Sequence, residues 1–358
     1  MAYTTIDDPS EYFQTKLYTG TGSSLGLTND GNSDLQPDWI WIKGRDFADS
    51  HHLTNTSVGL GKHLRSNTNA GDYTNAQVVT AVASDGFTVG SDAGVNTNDK
   101  LHVAWQWKAN GGTTTTNDAS STGVGTIDSV IQANTTAGFS IVTYTGTGSN
   151  ATVAHGLSVA PEMMFFRNRD ATDVWIVYHH GLASDAETDF IILNRTDAKA
   201  DLATAFNDTA PTSSVFSIGS LADTNRSSSN IIAFCFKSIQ GYSKIGSYNG
   251  NGNNDGAFVY TGFKPAWLLV KRTNSAEAWQ LVDNKRSPVN VMDEVLRPNS
   301  DIIEQTNQGG GDSIDFLSNG FKPRSSAGQF NNGSSAYIYY AIAEHPFVSS
   351  EGTPTTAR

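Results

Sequence analysis

The chain is 358 residues long, two to three times an ordinary domain, and carries a formal net charge of −12. No run of Lys or Arg gathers its few cations on one face, which argues against a nucleic-acid partner. A single cysteine, Cys235, excludes a disulfide framework and a cysteine-based metal cluster, and no stretch approaches the roughly 18 apolar residues of a membrane span.

The start, "MAYTTIDDPSEYF", lacks the cationic and apolar regions of a signal peptide, so the protein is expected to be made in a cytoplasm and not to cross a membrane by its own signal. "LYTGTGSS" from Leu17 reads as a tight turn after a strand, and "PDWIWIKGR", Pro37 to Arg45, as a strand that is apolar on both faces. Phe87 in "SDGFTVGS" follows, and "LHVAWQWK" closes the segment with another strand. Residues 110–126, rich in Gly, Thr and Ser, have no periodicity and read as a linker.

The same series then returns twice. "TYTGTGSN", "PEMMFFRNR", "SSVFSIGS" and "IIAFCFK" repeat it at residues 127–241, and "SYNGNGNN", "PAWLLVKR", "SNGFKPRS" and "AYIYYAIAE" at residues 242–358. Pro37, Pro161 and Pro265 stand 124 and 104 residues apart, and Tyr18, Tyr144 and Tyr248 stand 126 and 104 apart, so the markers move together. The expected architecture is all-β: three tandem β-sandwich units, jelly-roll or lectin-like, over 1–109, 127–241 and 242–358. The first unit is expected to be held more loosely than the other two. The best short helix candidates are "AKADLATAF" near Ala198 and "VMDEVLR" near Val291.

Each copy of the proline-led strand ends on a cation, Lys43, Arg167 or Lys271. The structural reading is that the stem covers an aromatic ring and the head meets water or a carboxylate; it outweighs a ligand contact.

The "YTGTG" turn, the proline-led strand with its cation, the "GF" turn, "AWQWKA" and the terminal "YAIAEHPFVSSEGTPTTAR" together resemble an uncharacterised repeat-domain family of virion proteins in tailed bacteriophages, many of them marine and often labelled tail fibre. That resemblance covers essentially the whole chain. It implies a structural component of the particle, located in the virion, with other virion proteins as partners and no assigned catalytic residue. The first reading is a tail fibre or tail tip component that engages host surface polysaccharide without catalysis, oligomeric and trimeric if a fibre. The alternatives are a capsid decoration protein and a tailspike-type polysaccharide depolymerase.

No cofactor or metal is expected. The pairs His51-His52 and His179-His180 are not equivalent in the repeat, because His51 aligns with Trp175 and Trp279. "NDGNSD" from Asn29 lacks the glutamate that closes a calcium loop. Asp170, Asp173, Glu187 and Asp189 supply acids for glycoside cleavage, but nothing in their spacing fixes a pair. Sugar rings stack on aromatic side chains among polar groups, which makes Trp175, Tyr178, Trp279, Asp283 and Arg286 the glycan-contact candidates, with burial in the core as the competing reading for each.

Overall fold

The computed structural model describes residues 2–306 and 313–355. Met1, residues 307–312 and the last three residues of the C-terminal motif lie outside the described residues. Strands dominate because turn residues interrupt the apolar alternation every few residues, leaving room for only four single-turn α-helices among the described residues.

Repeat 1 contains β1 (Phe13–Thr19), β2 (Leu25–Leu27), β3 (Trp39–Gly44), β4 (His52–Asn55), β5 (Lys62–Leu64), β6 (Tyr73–Thr74), β7 (Val79–Val82), β8 (Phe87–Val89) and β9 (Leu101–Trp107). They form a large sheet, β1-β9-β3-β4-β5-β6, and a small one, β2-β8-β7. Repeat 2 follows with β10 (Thr115–Asn117), β11 (Ser129–Asn134), β12 (Phe139–Thr145), β13 (Ala151–Ala154), β14 (Met163–Asn168), β15 (Ile176–His179), β16 (Asp189–Ile192), β17 (Ala200–Asp201), β18 (Val215–Ile218) and β19 (Asn230–Phe236). Its sheets are β10-β11-β12-β19-β14-β15-β16-β17 and β13-β18. Repeat 3 comprises β20 (Ser243–Asn249), β21 (Val259–Tyr260), β22 (Phe263–Arg272), β23 (Gln280–Asp283), β24 (Glu294–Val295), β25 (Gln305–Thr306), β26 (Ile314–Leu317), β27 (Gly320–Pro323) and β28 (Ala336–Pro346), in sheets β20-β28-β22-β23, β21-β27-β26 and β24-β25.

The three copies share one plan. The strand that runs into each "Y.G" turn lies beside the closing strand, which lies beside the proline-led strand: β1-β9-β3, β12-β19-β14 and β20-β28-β22, all antiparallel. Every residue of β3 is buried. Its Ile40 and Ile42 pack with Phe87 and Val89 of the small sheet in a core belonging to repeat 1 alone, while Trp39 and Trp41 face a second core drawn from all three repeats. There Trp39 stacks on Phe234 of repeat 2 with centroids 4.5 Å apart, Trp107 meets Trp267 of repeat 3 edge to face at 5.6 Å, and Phe236 approaches Tyr340 at 5.0 Å. A strand that is apolar on both faces is thus explained: one face belongs to its own repeat and the other to the assembly of three.

Two expectations change here. Residues 110–126 contain β10, which extends the second sheet, and a helical turn at Ala119–Thr122 capped by Asp118. Its start is anchored by Asp38, whose carboxylate accepts hydrogen bonds from the backbone of Ala109, Gly111 and Gly112. Repeat 1 is accordingly packed against both neighbours and not held loosely. The stretch near Val291 supplies β24, paired with β25, instead of a helix, because Met292, Val295 and Leu296 bury their side chains in an extended chain. Near Ala198 only Ala203–Phe206 is helical.

The repeat markers have local causes. Tyr18, Tyr144 and Tyr248 donate their hydroxyls to the carbonyls of Val95, Thr224 and Phe330 at 2.6, 2.6 and 2.7 Å. The glycine two residues on cannot carry a side chain: a Cβ at Gly20, Gly146 or Gly250 would fall 2.1, 2.3 or 2.3 Å from the carbonyl oxygen of Thr97, Arg226 or Asn332. A fully buried asparagine, Asn96, Asn225 or Asn331, closes each turn by accepting from Thr21, Thr147 or Asn251 and donating to Gly90, Gly219 or Ser325.

Candidate functional site

The strand-end cations meet neither water nor, with their head groups, a carboxylate. Lys43 donates to the Asp301 carbonyl of repeat 3 at 3.3 Å, Arg167 to the Ala70 carbonyl of repeat 1, and Lys271 to the Thr196 carbonyl of repeat 2 at 3.2 Å. All three are fully buried. Each repeat reaches one neighbour in the same rotational sense, so the contacts close a ring with pseudo-threefold symmetry. Burial pulls Lys43 and Lys271 down to about 8 and Arg167 to about 10, with nearby carboxylates opposing the shift.

A second ring of hydrogen bonds runs parallel to the first. Trp175 Nε1 donates to the Arg65 carbonyl at 3.0 Å, Trp279 Nε1 to the Ile192 carbonyl at 2.9 Å, and His51 Nε2 lies 3.0 Å from the Arg297 carbonyl. Because Trp41 Nε1 donates to His51 Nδ1, the proton of His51 sits on Nε2 and points at Arg297. The alignment of His51 with the two tryptophans is therefore an equivalence of role, a buried ring N–H spanning a seam. The backbone of each is held in turn by an asparagine, Asn67, Asn194 or Asn299. Those three escape a sequence reading because they lie 16, 19 and 20 residues after their partners. Asn96, Asn225 and Asn331 were missed as well, although they carry a signal that finds them, since each stands five residues before its closing strand.

The glycan-contact candidates divide accordingly. Trp175 and Trp279 are seam residues with no face turned to solvent, and Tyr178 is buried against Phe206. Asp283 and Arg286 do come together, 2.6 Å apart, in a buried cluster between repeats 3 and 1. Asp283 accepts from Trp105 Nε1 at 3.0 Å, Arg286 also pairs with Glu304 at 2.9 Å, and Arg45 pairs with Glu304 at 2.7 Å and with Glu294 at 3.2 Å. Burial opposes the charge of Arg286, but Asp283 and Glu304 outweigh it and hold the guanidinium above its ordinary value. None of the five candidates can stack on an external sugar, because burial has already committed their surfaces to the protein.

Three of the four acids considered for cleavage are tied to separate partners. Asp170 accepts from Asn230, Asp173 pairs with Arg226 at 2.6 Å, and Asp189 pairs with Lys199 at 2.8 Å. Two open clefts stand out among the described residues. One of about 180 Å³ lies between repeats 1 and 3 beside Asp8, Asp30, Lys285 and His345; the other, about 330 Å³, is lined by Asp173, Phe190, Arg195 and Asp223. In the first, burial raises and the Lys285 and Lys16 contacts more strongly lower Asp30, whereas burial raises Asp223 in the second. Among the described residues no group of three His, Cys, Asp or Glu side chains is arranged to hold a metal, and no helix is long and apolar enough to cross a membrane.

Fold and seams together define an all-β protein whose three sequence repeats close on a common aromatic core. Residues 8–346 match the model of a family described as a domain of unknown function, DUF7483, and the chain belongs to that family. A comparison with curated proteins finds no match.

Proposed function

We propose that this chain is a non-catalytic structural protein of a tailed-phage particle, a tail fibre or tail tip component that engages the host surface, with each repeat serving as a lectin-like β-sandwich unit. The observation that carries this reading is the use to which the reactive groups are put: the cations, indoles and Asp283–Arg286 cluster that a binding or cleaving site would expose are consumed in joining repeats. Such a body is built for rigidity, and a particle component gains from a rigid body that presents loops. Other virion proteins are its partners, and copies of this chain form the oligomer.

The pseudo-threefold ring favours one further reading, capsid decoration, because a body with three similar sides fits a threefold-symmetric surface. Immunogold labelling of intact particles separates the two. Label at the tail supports attachment; label over the head supports decoration; particles that carry no label at all overturn both.

A further inference from the structure

Phe258 and Tyr260 are 47% and 55% exposed, the two aromatic side chains most open to solvent among the described residues. They flank the buried Val259, Tyr260 on the edge strand β21 and Phe258 just before it, so both rings project from the outer face of the sheet β21-β27-β26. The repeat shows that the fold does not require them. Val259 pairs with Phe321 as Leu27 pairs with Phe87 and Val153 with Phe216, so the positions of Phe258 and Tyr260 correspond to Gly26 and Thr28 in repeat 1 and to Thr152 and Ala154 in repeat 2. Two small or polar positions have become a pair of exposed rings in one copy only.

The rings are held in place. Tyr260 is the register partner of Gly320, and a Cβ at Gly320 would lie 2.8 Å from the Phe258 ring, so that ring rests on the bare glycine. The Tyr260 hydroxyl lies 3.3 Å from that of Tyr3, which itself donates to the Gly262 carbonyl at 2.7 Å. By register, Lys322 on β27 shares the face of Gly320 and Tyr260 and stands opposite Asp315; Lys322 and Arg324 pair with Asp255 at 2.6 and 3.6 Å, and Arg324 lies 3.3 Å from Asp315. Among the described residues, these two cations and two carboxylates balance one another within a strongly acidic chain.

We infer that this ledge is a carbohydrate-binding site for neutral hexopyranose units of a surface polysaccharide, which rests on and deepens the attachment reading above. A pyranose ring offers an apolar C–H face to Phe258 and Tyr260 and equatorial hydroxyls to the rim, donating to Asp255 or Asp315 and accepting from Lys322 or the tyrosine hydroxyls. Two half-exposed rings supply on the order of 200 Å², far short of the roughly 800 Å² per partner of a stable protein interface and suited to one or two sugar rings. The balanced rim has no net positive charge to attract a uronate or a sialic acid.

The test is binding of the labelled full-length protein to an array of immobilised glucose-, galactose- and mannose-based oligosaccharides, with sialylated and uronate-containing ones beside them. Binding to neutral members is expected, reduced at least tenfold in Phe258→Thr/Tyr260→Ala, which installs the residues of repeat 2. Should that variant fail to fold, Tyr260→Ala alone carries the test, its loss of binding being expected and its full retention overturning the site. No binding by the wild-type protein, binding confined to acidic glycans, or binding unchanged in a folded double variant also overturns it. Neutral capsular polysaccharide and neutral lipopolysaccharide O-chains, as separate arms, identify the source. Particle labelling reports independently: tail label without sugar binding removes the ledge and leaves the attachment reading, whereas sugar binding without any label removes that reading and leaves the ledge.

Discussion

The seam between repeats 3 and 1 and the seam between repeats 2 and 3 use the same clasp with different fillings. In both, a strand-end lysine and a ring N–H reach carbonyls of the neighbour: Lys43 and His51 at the first, Lys271 and Trp279 at the second. At the first seam the space beside the clasp holds Asp283, Arg286, Glu304 and Arg45 in one buried ionic cluster, with Trp105 bonded into it. The corresponding polar contacts at the second are the rings of His179 and His180 beside the carbonyls of Tyr339 and Ile245, both at 3.2 Å. The repeat dictates where a seam is pinned, and each pair of repeats has settled separately how its remaining polar surface is satisfied.

The largest expected effect follows from the ionic filling. Arg286→Met leaves Asp283 buried without its guanidinium and removes one of the two that hold Glu304, so it should cost about 3–5 kcal/mol. Urea unfolding measures this as a lowered midpoint, and a loss under about 1 kcal/mol would mean the cluster is not sealed from water.

Acid should loosen both seams, because each buries a histidine. Burial depresses His179 at the second seam to about 3, and burial, with the nearby Lys43, holds His51 at the first well below its ordinary range. Unfolded histidines near 6.5 take up protons first, so the stability they contribute is complete above 6.5 and is lost as pH falls toward those folded values. By pH 5 the loss is about 2 kcal/mol for each such histidine. Glu304 is held below its ordinary range, with burial opposed by its Arg45 and Arg286 contacts, and so resists until lower pH. Amide exchange at pH 5, corrected for intrinsic rates, should show the backbone around His51 and around His179 opening together, while the Arg286–Glu304 pairing persists. Opening at one seam alone would break the comparison.

Substituting the indole donors tests the shared clasp. Trp279→Phe keeps most of the apolar volume but leaves the Ile192 carbonyl without its donor, at about 1–3 kcal/mol, and Trp175→Phe should cost nearly as much because its geometry is the same. Unequal losses would show that the pseudo-symmetry is geometric and not energetic.

How far these features could be read beforehand depends on whether they recur. The tyrosines, glycines and strand-end cations recur at nearly constant offsets, so the repeat and the two-faced strand were visible in "PDWIWIKGR" and its copies. What lay across the second face was not visible, because an alternating apolar pattern states that a face is buried and not which segment covers it. Trp175 and Trp279 illustrate the cost of that gap: as large aromatics among polar loops they resembled a sugar platform, yet their ring N–H groups reach carbonyls 110 and 87 residues away. Asp283 and Arg286 were hidden by the same limit, since their partners Trp105 and Glu304 come from separate stretches of the chain. Phe258 and Tyr260 went unnoticed for the opposite reason. They break the repeat, and a search for recurrence passes over what occurs once.

The smallest effect belongs to the clasp lysines. Lys43 and Lys271 have their head groups on carbonyls, with carboxylates acting only from farther away, so the desolvation of each charge is poorly offset. Lys43→Met and Lys271→Met should therefore each change stability near pH 7 by less than about 1 kcal/mol, in contrast to Arg286→Met. Their pH dependence is the sharper signal. Folded lysines near 8 and unfolded ones near 10.5 mean that the unfolded chain holds more protons between those values, so wild-type stability rises from pH 8 toward 10, while below 8 the cost of the buried charge is fully present. The double methionine variant should lose that rise. If it keeps the rise, the lysines are not the groups that titrate; if it unfolds at neutral pH, the hydrogen bonds to Asp301 and Thr196 outweigh desolvation, and the ring is held by its cations as firmly as by its aromatic core.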